Sequence, residues 1–110
     1  MSLVVNMRIS GTPKNVGKKS TAWQLTGINL LGNVTMGITE LVPDDALPGN
    51  THDYLEVFYV VSGTGSLISH GERSRLSPGD LAVIPPGEEH SVENSSTENL
   101  IMLYMALRDL

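Results

Sequence analysis

The chain contains no cysteine among its 110 residues, which excludes disulfides, thiolate metal sites and a cysteine nucleophile together. Aromatic residues are scarce, with one Trp, one Phe and three Tyr. No serine elbow, phosphate-binding glycine loop or dinucleotide fingerprint is present. No apolar stretch approaches the roughly 18 residues that a membrane helix needs. Leu3-Val4-Val5 is too short for the core of a secretory signal, and Met1-Ser2-Leu3 reads as an expression remnant. A reducing cytoplasm is the expected compartment. Acidic residues are missing from the first part of the chain: Arg8, Lys14, Lys18 and Lys19 all precede the first acid, Glu40, leaving three basic and 12 acidic residues from Glu40 onward and a net charge of -5. Interspersed with Gly11, Pro13 and Gly17, these four cations read as a solvated loop rather than a nucleic-acid arm, and no helix-turn-helix pattern accompanies them. Neither a membrane nor nucleic acid is an expected partner. Residues 1–20 are read as a flexible N-terminal arm and 21–110 as one domain.

A helical period is also lacking, since no run sustains a 3.6-residue repeat over 11 residues; what recurs is short β-forming segments. Trp23 to Leu31 and Val34 to Val42 alternate around a Gly32-Asn33 turn. Glu56 to Val61 follows, and Gly65 to Ser69 is expected to pair with Arg73 to Leu76 across His70-Gly71. Asp80 to Ile84, His90 to Glu93 and Leu100 to Leu107 complete an all-β chain.

Two of the three histidines, His52 and His90, lie beside β-forming runs, and Glu56 stands four residues after the first. Imidazole and carboxylate on buried strands need a partner, and a divalent metal suits all three. In a continuous strand, positions 52 and 56 would stand roughly 13 Å apart, whereas ligand atoms on one ion lie within about 4 Å of each other. The chain must therefore bend, and Asp53-Tyr54 is the expected bend, with Pro48-Gly49-Asn50 turning the chain just before it. His90 follows Pro85-Pro86-Gly87, which stops the strand before it, and His90, Val92 and Asn94 share one face of the next. The three candidates converge only if the sheet curls into a barrel.

These residues resemble the cupin superfamily. Its second motif, G(X)5PXG(X)2H(X)3N, is matched at every specified position by Gly79, Pro85, Gly87, His90 and Asn94. Of its first motif, G(X)5HXH(X)3-4E(X)6G, the chain carries His52, Glu56 and Gly63; Asn50 stands where the first His belongs and Asp44 where the first Gly belongs. The 15-residue connector from Thr64 to Pro78 is like that of short single-domain bacterial cupins. The resemblance implies a double-stranded β-helix, or jelly-roll barrel, with one divalent metal (iron, manganese, nickel or zinc) held by His52, Glu56 and His90. Asn50 is a further, weaker ligand candidate through its amide oxygen. It also implies a small metal-dependent enzyme of the oxygenase, isomerase or decarboxylase type acting on a small polar organic molecule. The alternatives are a non-catalytic barrel that binds or senses a sugar or metabolite, and an accessory domain serving a larger partner.

Alternation extends the reading. Phe58, Tyr104, Met36 and Met102 are expected to line a ligand pocket or fill the barrel, and Tyr54 and Tyr104 are candidate proton donors. Val57, Tyr59 and Val61 should face outward, as should Ile101, Leu103, Met105 and Leu107, so both strands are apolar on both faces. Such strands are buried on both faces, by the N-terminal segment or by a second subunit, and a homodimer is expected. His70 reads as a hairpin residue without chemistry, Glu88 and Glu89 as solvent-exposed, and Arg73 with Arg75 as an exposed polar face.

Overall fold

A short helix, α1 (Met7–Ser10), opens the chain and is followed by ten strands: β1 (Thr12–Val16), β2 (Ser20–Gln24), β3 (Val34–Leu41), β4 (Asp45–Asn50), β5 (Leu55–Ser62), β6 (Gly65–Ser69), β7 (Glu72–Leu76), β8 (Leu81–Ile84), β9 (His90–Asn94) and β10 (Leu100–Leu107). The structure, a computed structural model, describes residues 4–25 and 33–108. The expected Gly32-Asn33 turn and the end of the expected Trp23 to Leu31 strand fall wholly or partly outside them. All pairings are antiparallel. Six strands in the order β1-β2-β3-β10-β5-β8 form one sheet, and four in the order β4-β9-β6-β7 form the other. Two facing antiparallel sheets around one core make the jelly-roll barrel that the sequence motifs imply.

The core follows from alternation. Leu41, Phe58, Val60, Leu76, Ala82, Ile84, Val92, Leu100 and Met102 pack together between the sheets. Along β10, Leu100, Met102 and Ala106 are buried, while the alternate residues are only partly covered. On β5 the outward residues Tyr59 and Val61 are exposed, as are Leu81 and Val83 on β8, whereas the outward Val57 is buried. Tyr59 is paired with Leu81, and Val57 with Val83. The N-terminal segment does not reach this face, because β1 and β2 extend the opposite side of the sheet beyond β3.

Two sequence expectations are corrected. The stretch around Pro13 is not a loop but β1, a mostly exposed strand whose register with β2 runs from Thr12↔Gln24 to Val16↔Ser20. Its polar, Lys-containing pattern hides the strand because its first four residues are exposed and need no apolar alternation. Pro48 and Gly49 do not turn the chain either; they lie within β4. There the partners step from Leu47↔Val92 to Asn50↔His90, so one extra residue is accommodated on β4. This is a bulge, placed where proline has no N–H to give to the ladder.

The β1–β2 hairpin is tied down by a buried carboxylate. Asp45, 3% exposed, accepts hydrogen bonds from the backbone N–H groups of Lys18, Lys19 and Ala46, each at 2.9 Å, and from the Ser20 hydroxyl at 2.6 Å. Gly17 makes this approach feasible: its φ is 61°, and a Cβ there would stand 2.8 Å from both Asp45 carboxylate oxygens. Burial opposes ionisation of Asp45, but the four hydrogen bonds outweigh it and hold the carboxyl well below the usual carboxylate range. A depressed folded-state pKa contributes stability that is present above the unfolded value near 3.9 and is lost as pH falls toward the folded value. Urea denaturation between pH 7 and pH 2 should therefore show stability falling below about pH 4. In Asp45→Asn, part of that acid dependence should vanish, and stability at pH 7 should drop by about 1–3 kcal/mol as an amide N–H comes to face a backbone donor.

Candidate metal centre

Three elements bring the candidate ligands together. Glu56 is the second residue of β5, and its parity on that strand turns it inward with Phe58 and Val60. His90 opens β9 and is buried. His52 lies in the segment between β4 and β5, where the chain bends at Asp53-Tyr54, as the i, i+4 spacing required. The Gly87 N–H donates to the His52 carbonyl at 2.7 Å, which pins this bend to the Pro-Gly turn before β9.

The result is compact. His90 Nε2 lies 2.9 Å from Glu56 Oε1, and His52 Nε2 lies 3.7 Å from Glu56 Oε2. One ligand atom from each of the three residues falls within 4.8 Å of the others. The two histidines are held differently. His90 Nδ1 is 3.1 Å from the Glu88 backbone carbonyl; a carbonyl can only accept, so Nδ1 carries a proton and Nε2 is the nitrogen turned to the site. The His52 ring is instead stacked on Tyr54, with centroids 4.6 Å apart and planes inclined by 13°.

That tautomer tests the fit of a metal. An imidazole lone pair and a carboxylate oxygen 2.9 Å apart repel unless a positive charge lies between them, either a second imidazole proton or a cation. Two nitrogen donors and one oxygen donor, with a neutral tautomer fixed by a backbone carbonyl, suit a first-row divalent ion. The residues present therefore fit the metal that the motifs imply, and the His52, Glu56, His90 group can hold an ion.

Asn50 is the register partner of His90, so the bulge in β4 places it on the same face beside the site. Its Oδ1 accepts the Thr51 N–H at 3.0 Å, and the residue is exposed. A cavity of about 410 Å³ opens in front of the three ligands and includes Asn50, Phe58, Tyr104, Tyr54 and Arg108 in its wall. Met36 and Met102 are not among its lining residues. Met102 is fully buried in the core beneath the cavity. Met36 lies on the face of β3 opposite to the buried Gly37, Thr39 and Leu41, away from the cavity that Thr35 and Thr39 line. The Tyr104 ring rests across Gly37, its register partner, where a Cβ would stand 2.6 Å from the ring.

Both cavity tyrosines keep their protons at neutral pH. Burial and the Glu56 charge push Tyr104 up, with Tyr54 contributing. Burial and Glu56 also push Tyr54 up, against the opposing effect of Arg108. The remaining motif residues are structural. Asn94 donates to the Leu41 and Glu98 carbonyls and accepts from the Ser96 backbone N–H and hydroxyl. His70 sits in the β6–β7 turn at φ 53°, exposed, 3.4 Å from the Glu88 carboxylate. Sequence reasoning missed two participants: Glu88, which acts through its backbone carbonyl, and Arg108, which stands alone after the last strand.

Solved structures resemble this fold over nearly its whole length. A protein of Thermotoga maritima described as a predicted oxalate decarboxylase superposes with a TM-score of 0.84 at 20% identity, covering 96% of this chain and 98% of its own. A Cupin 2 conserved barrel domain protein from Salinispora arenicola gives 0.78 at 21% identity, over 97% and 88%. The polyketide cyclase RemF of Streptomyces resistomycificus gives 0.80 at 20% identity, over 99% and 81%. No curated protein matches the sequence. The family model described as "Cupin domain" matches residues 37–106, a span that contains both motifs and all three candidate ligands, and the chain belongs to that family.

Proposed function

We propose that this protein is a small metal-dependent cupin enzyme of the oxygenase, isomerase or decarboxylase type, acting on a small polar organic molecule in the cavity beside His52, Glu56 and His90. The observation that carries this reading is the 2.9 Å approach of His90 Nε2 to Glu56 Oε1, beside His52 and open to the cavity. His52, Glu56 and His90 would hold the ion, and Asn50 stands ready as a further oxygen donor. A divalent ion there would supply Lewis-acid polarisation of a substrate oxygen or, if iron, dioxygen chemistry. The chain supplies the rest: Tyr54 and Tyr104 each hold a proton at Oη beside Glu56, while Phe58 and Ala106 give the substrate an apolar floor.

One observation favours a second reading, a non-catalytic barrel that binds a metabolite: where the motif has a histidine, the amide oxygen of Asn50 is already engaged by the Thr51 N–H. The two readings separate on metal content. Protein purified without a metal-affinity tag should contain close to one divalent metal per chain by elemental analysis, and His90→Ala should lose it while remaining folded. Metal-free protein that rejects added iron, manganese, nickel and zinc would instead support the binding barrel. Asn50→His, which exchanges an amide for an imidazole opposite His90, should tighten metal binding by about tenfold, within the range of changes made at such positions. Unchanged affinity would place Asn50 outside the coordination sphere.

We also propose that the chain forms a homodimer through the outer face of β5 and β8. β8 ends the six-stranded sheet, and the exposed Tyr59, Val61, Leu81 and Val83 lie next to that edge. A second copy would bury this apolar face and extend the sheet by two-fold pairing. Sedimentation equilibrium should give twice the 11.8 kDa chain mass. Val83→Lys together with Leu81→Lys should shift it to the monomer.

A further inference from the structure

The protein is acidic, but its cavity is not. Among the described residues, Glu56, one of the candidate ligands, is the only acidic side chain that lines the cavity, together with two cations, Lys14 and Arg108. Arg108 is held in place without a carboxylate. Its backbone N–H donates to the Asn33 carbonyl at 3.0 Å, its Nη1 donates to the Thr35 hydroxyl at 2.7 Å, and its guanidinium lies 4.3 Å from the centroid of the Tyr54 ring. It makes no ion pair among the described residues. A guanidinium carries five N–H donors in a rigid fork, so most of the Arg108 donors remain available on the cavity wall. Tyr54 in turn stacks on His52, so the guanidinium, the phenol and the metal-side imidazole form three successive layers along one wall. The Tyr54 and Tyr104 hydroxyls make no hydrogen bond to protein among the described residues, and both stay protonated, as shown above.

We propose that Arg108 is the anchor for a substrate carboxylate, so that the cavity selects a small organic acid whose second oxygen function reaches His52, Glu56 and His90. This rests on the proposed function and narrows its substrate class. A planar carboxylate meets the Arg108 fork with two parallel hydrogen bonds, and Lys14 on β1 adds long-range attraction. Phe58 and Ala106 give the cavity an apolar floor, so the substrate has a carbon skeleton besides its two polar ends. Inorganic phosphate would satisfy the fork but leave that floor uncovered.

The test is calorimetric titration of the full chain, as purified and after addition of manganese. The probes are oxalate, malonate, succinate and benzoate, with malonamide, succinamide and benzamide as neutral counterparts and inorganic phosphate as the simple anion. At least one carboxylate should bind more tightly than its amide and than phosphate. Arg108→Gln should weaken that carboxylate by about tenfold or more, the effect of losing a charge-assisted pair of hydrogen bonds, without changing metal content or thermal midpoint by more than a few degrees. Arg108→Lys should fall between the two, keeping the charge but not the fork. Absence of binding by every carboxylate, equal binding of the amides or of phosphate, or undiminished affinity in Arg108→Gln would overturn the assignment. So would loss of metal in Arg108→Gln, since the guanidinium would then serve the Tyr54–His52 stack rather than a ligand. Carboxylate binding that depends on Arg108 in protein that takes up no metal would sustain the anchor and end the metal-enzyme reading; metal uptake without carboxylate binding would do the reverse.

Discussion

The two sheets of this barrel are riveted at one end by a pair of buried polar side chains, and the geometry of the cavity depends on that joint. Asp45 and Asn94 are register partners on β4 and β9. Asp45 reaches across to Ser20 at the start of β2, and Asn94 to the Leu41 carbonyl at the end of β3. Both side chains are almost wholly withdrawn from water, and their donors and acceptors are met, as they must be where an unmet group costs more than a hydrogen bond returns. The same β4–β9 ladder carries the Asn50↔His90 pair at its other end. Closing the sheets at the Asp45–Asn94 end thus sets where His90 stands at the mouth, with the apolar core of Val60, Leu100 and Met102 in between.

At the mouth, charge and orientation are set by neighbours of unequal kind. His90 is oriented by a backbone carbonyl, which fixes its tautomer, whereas His52 is oriented by the face of Tyr54, which fixes its plane but not its protonation. The wall on the His52 side ends in Arg108. A site built this way is asymmetric: one imidazole is held by a backbone carbonyl, and the other belongs to a stack of side chains that presents a cation to the cavity.

The motif positions acquire physical meaning in the fold. Gly63, Gly79 and Gly87 all have positive φ, and Asp44, which replaces the remaining motif glycine, adopts φ 63° as well. The backbone conformation is kept although the residue is not, because aspartate is among the few side chains that tolerate the left-handed region. At Gly63 there is also no room, since a Cβ would collide with the Asn99 carbonyl. Less was legible where no such signal exists. β1 is polar and mostly exposed, β4 contains a proline and a glycine, and both escape a search for alternating apolar residues. The face that Met36 occupies was not legible, because β3 alternates small, polar and apolar residues on both sides and its parity is fixed by pairing with β10.

By itself the sequence determined the all-β class, the strands from β5 to β10, the turn at His70-Gly71 and the identity of the three candidate ligands. Each of these rests on local chemistry: β-branched runs, turn residues, and side chains that need a partner when buried. Only the tertiary structure decided that His90 turns its Nε2 to Glu56, that a bulge brings Asn50 opposite His90, and that Arg108 faces the same cavity from the far end of β10. Those outcomes depend on register, closure and a backbone carbonyl two residues from His90, and contacts between residues so distant along the chain leave no periodicity in it to be read.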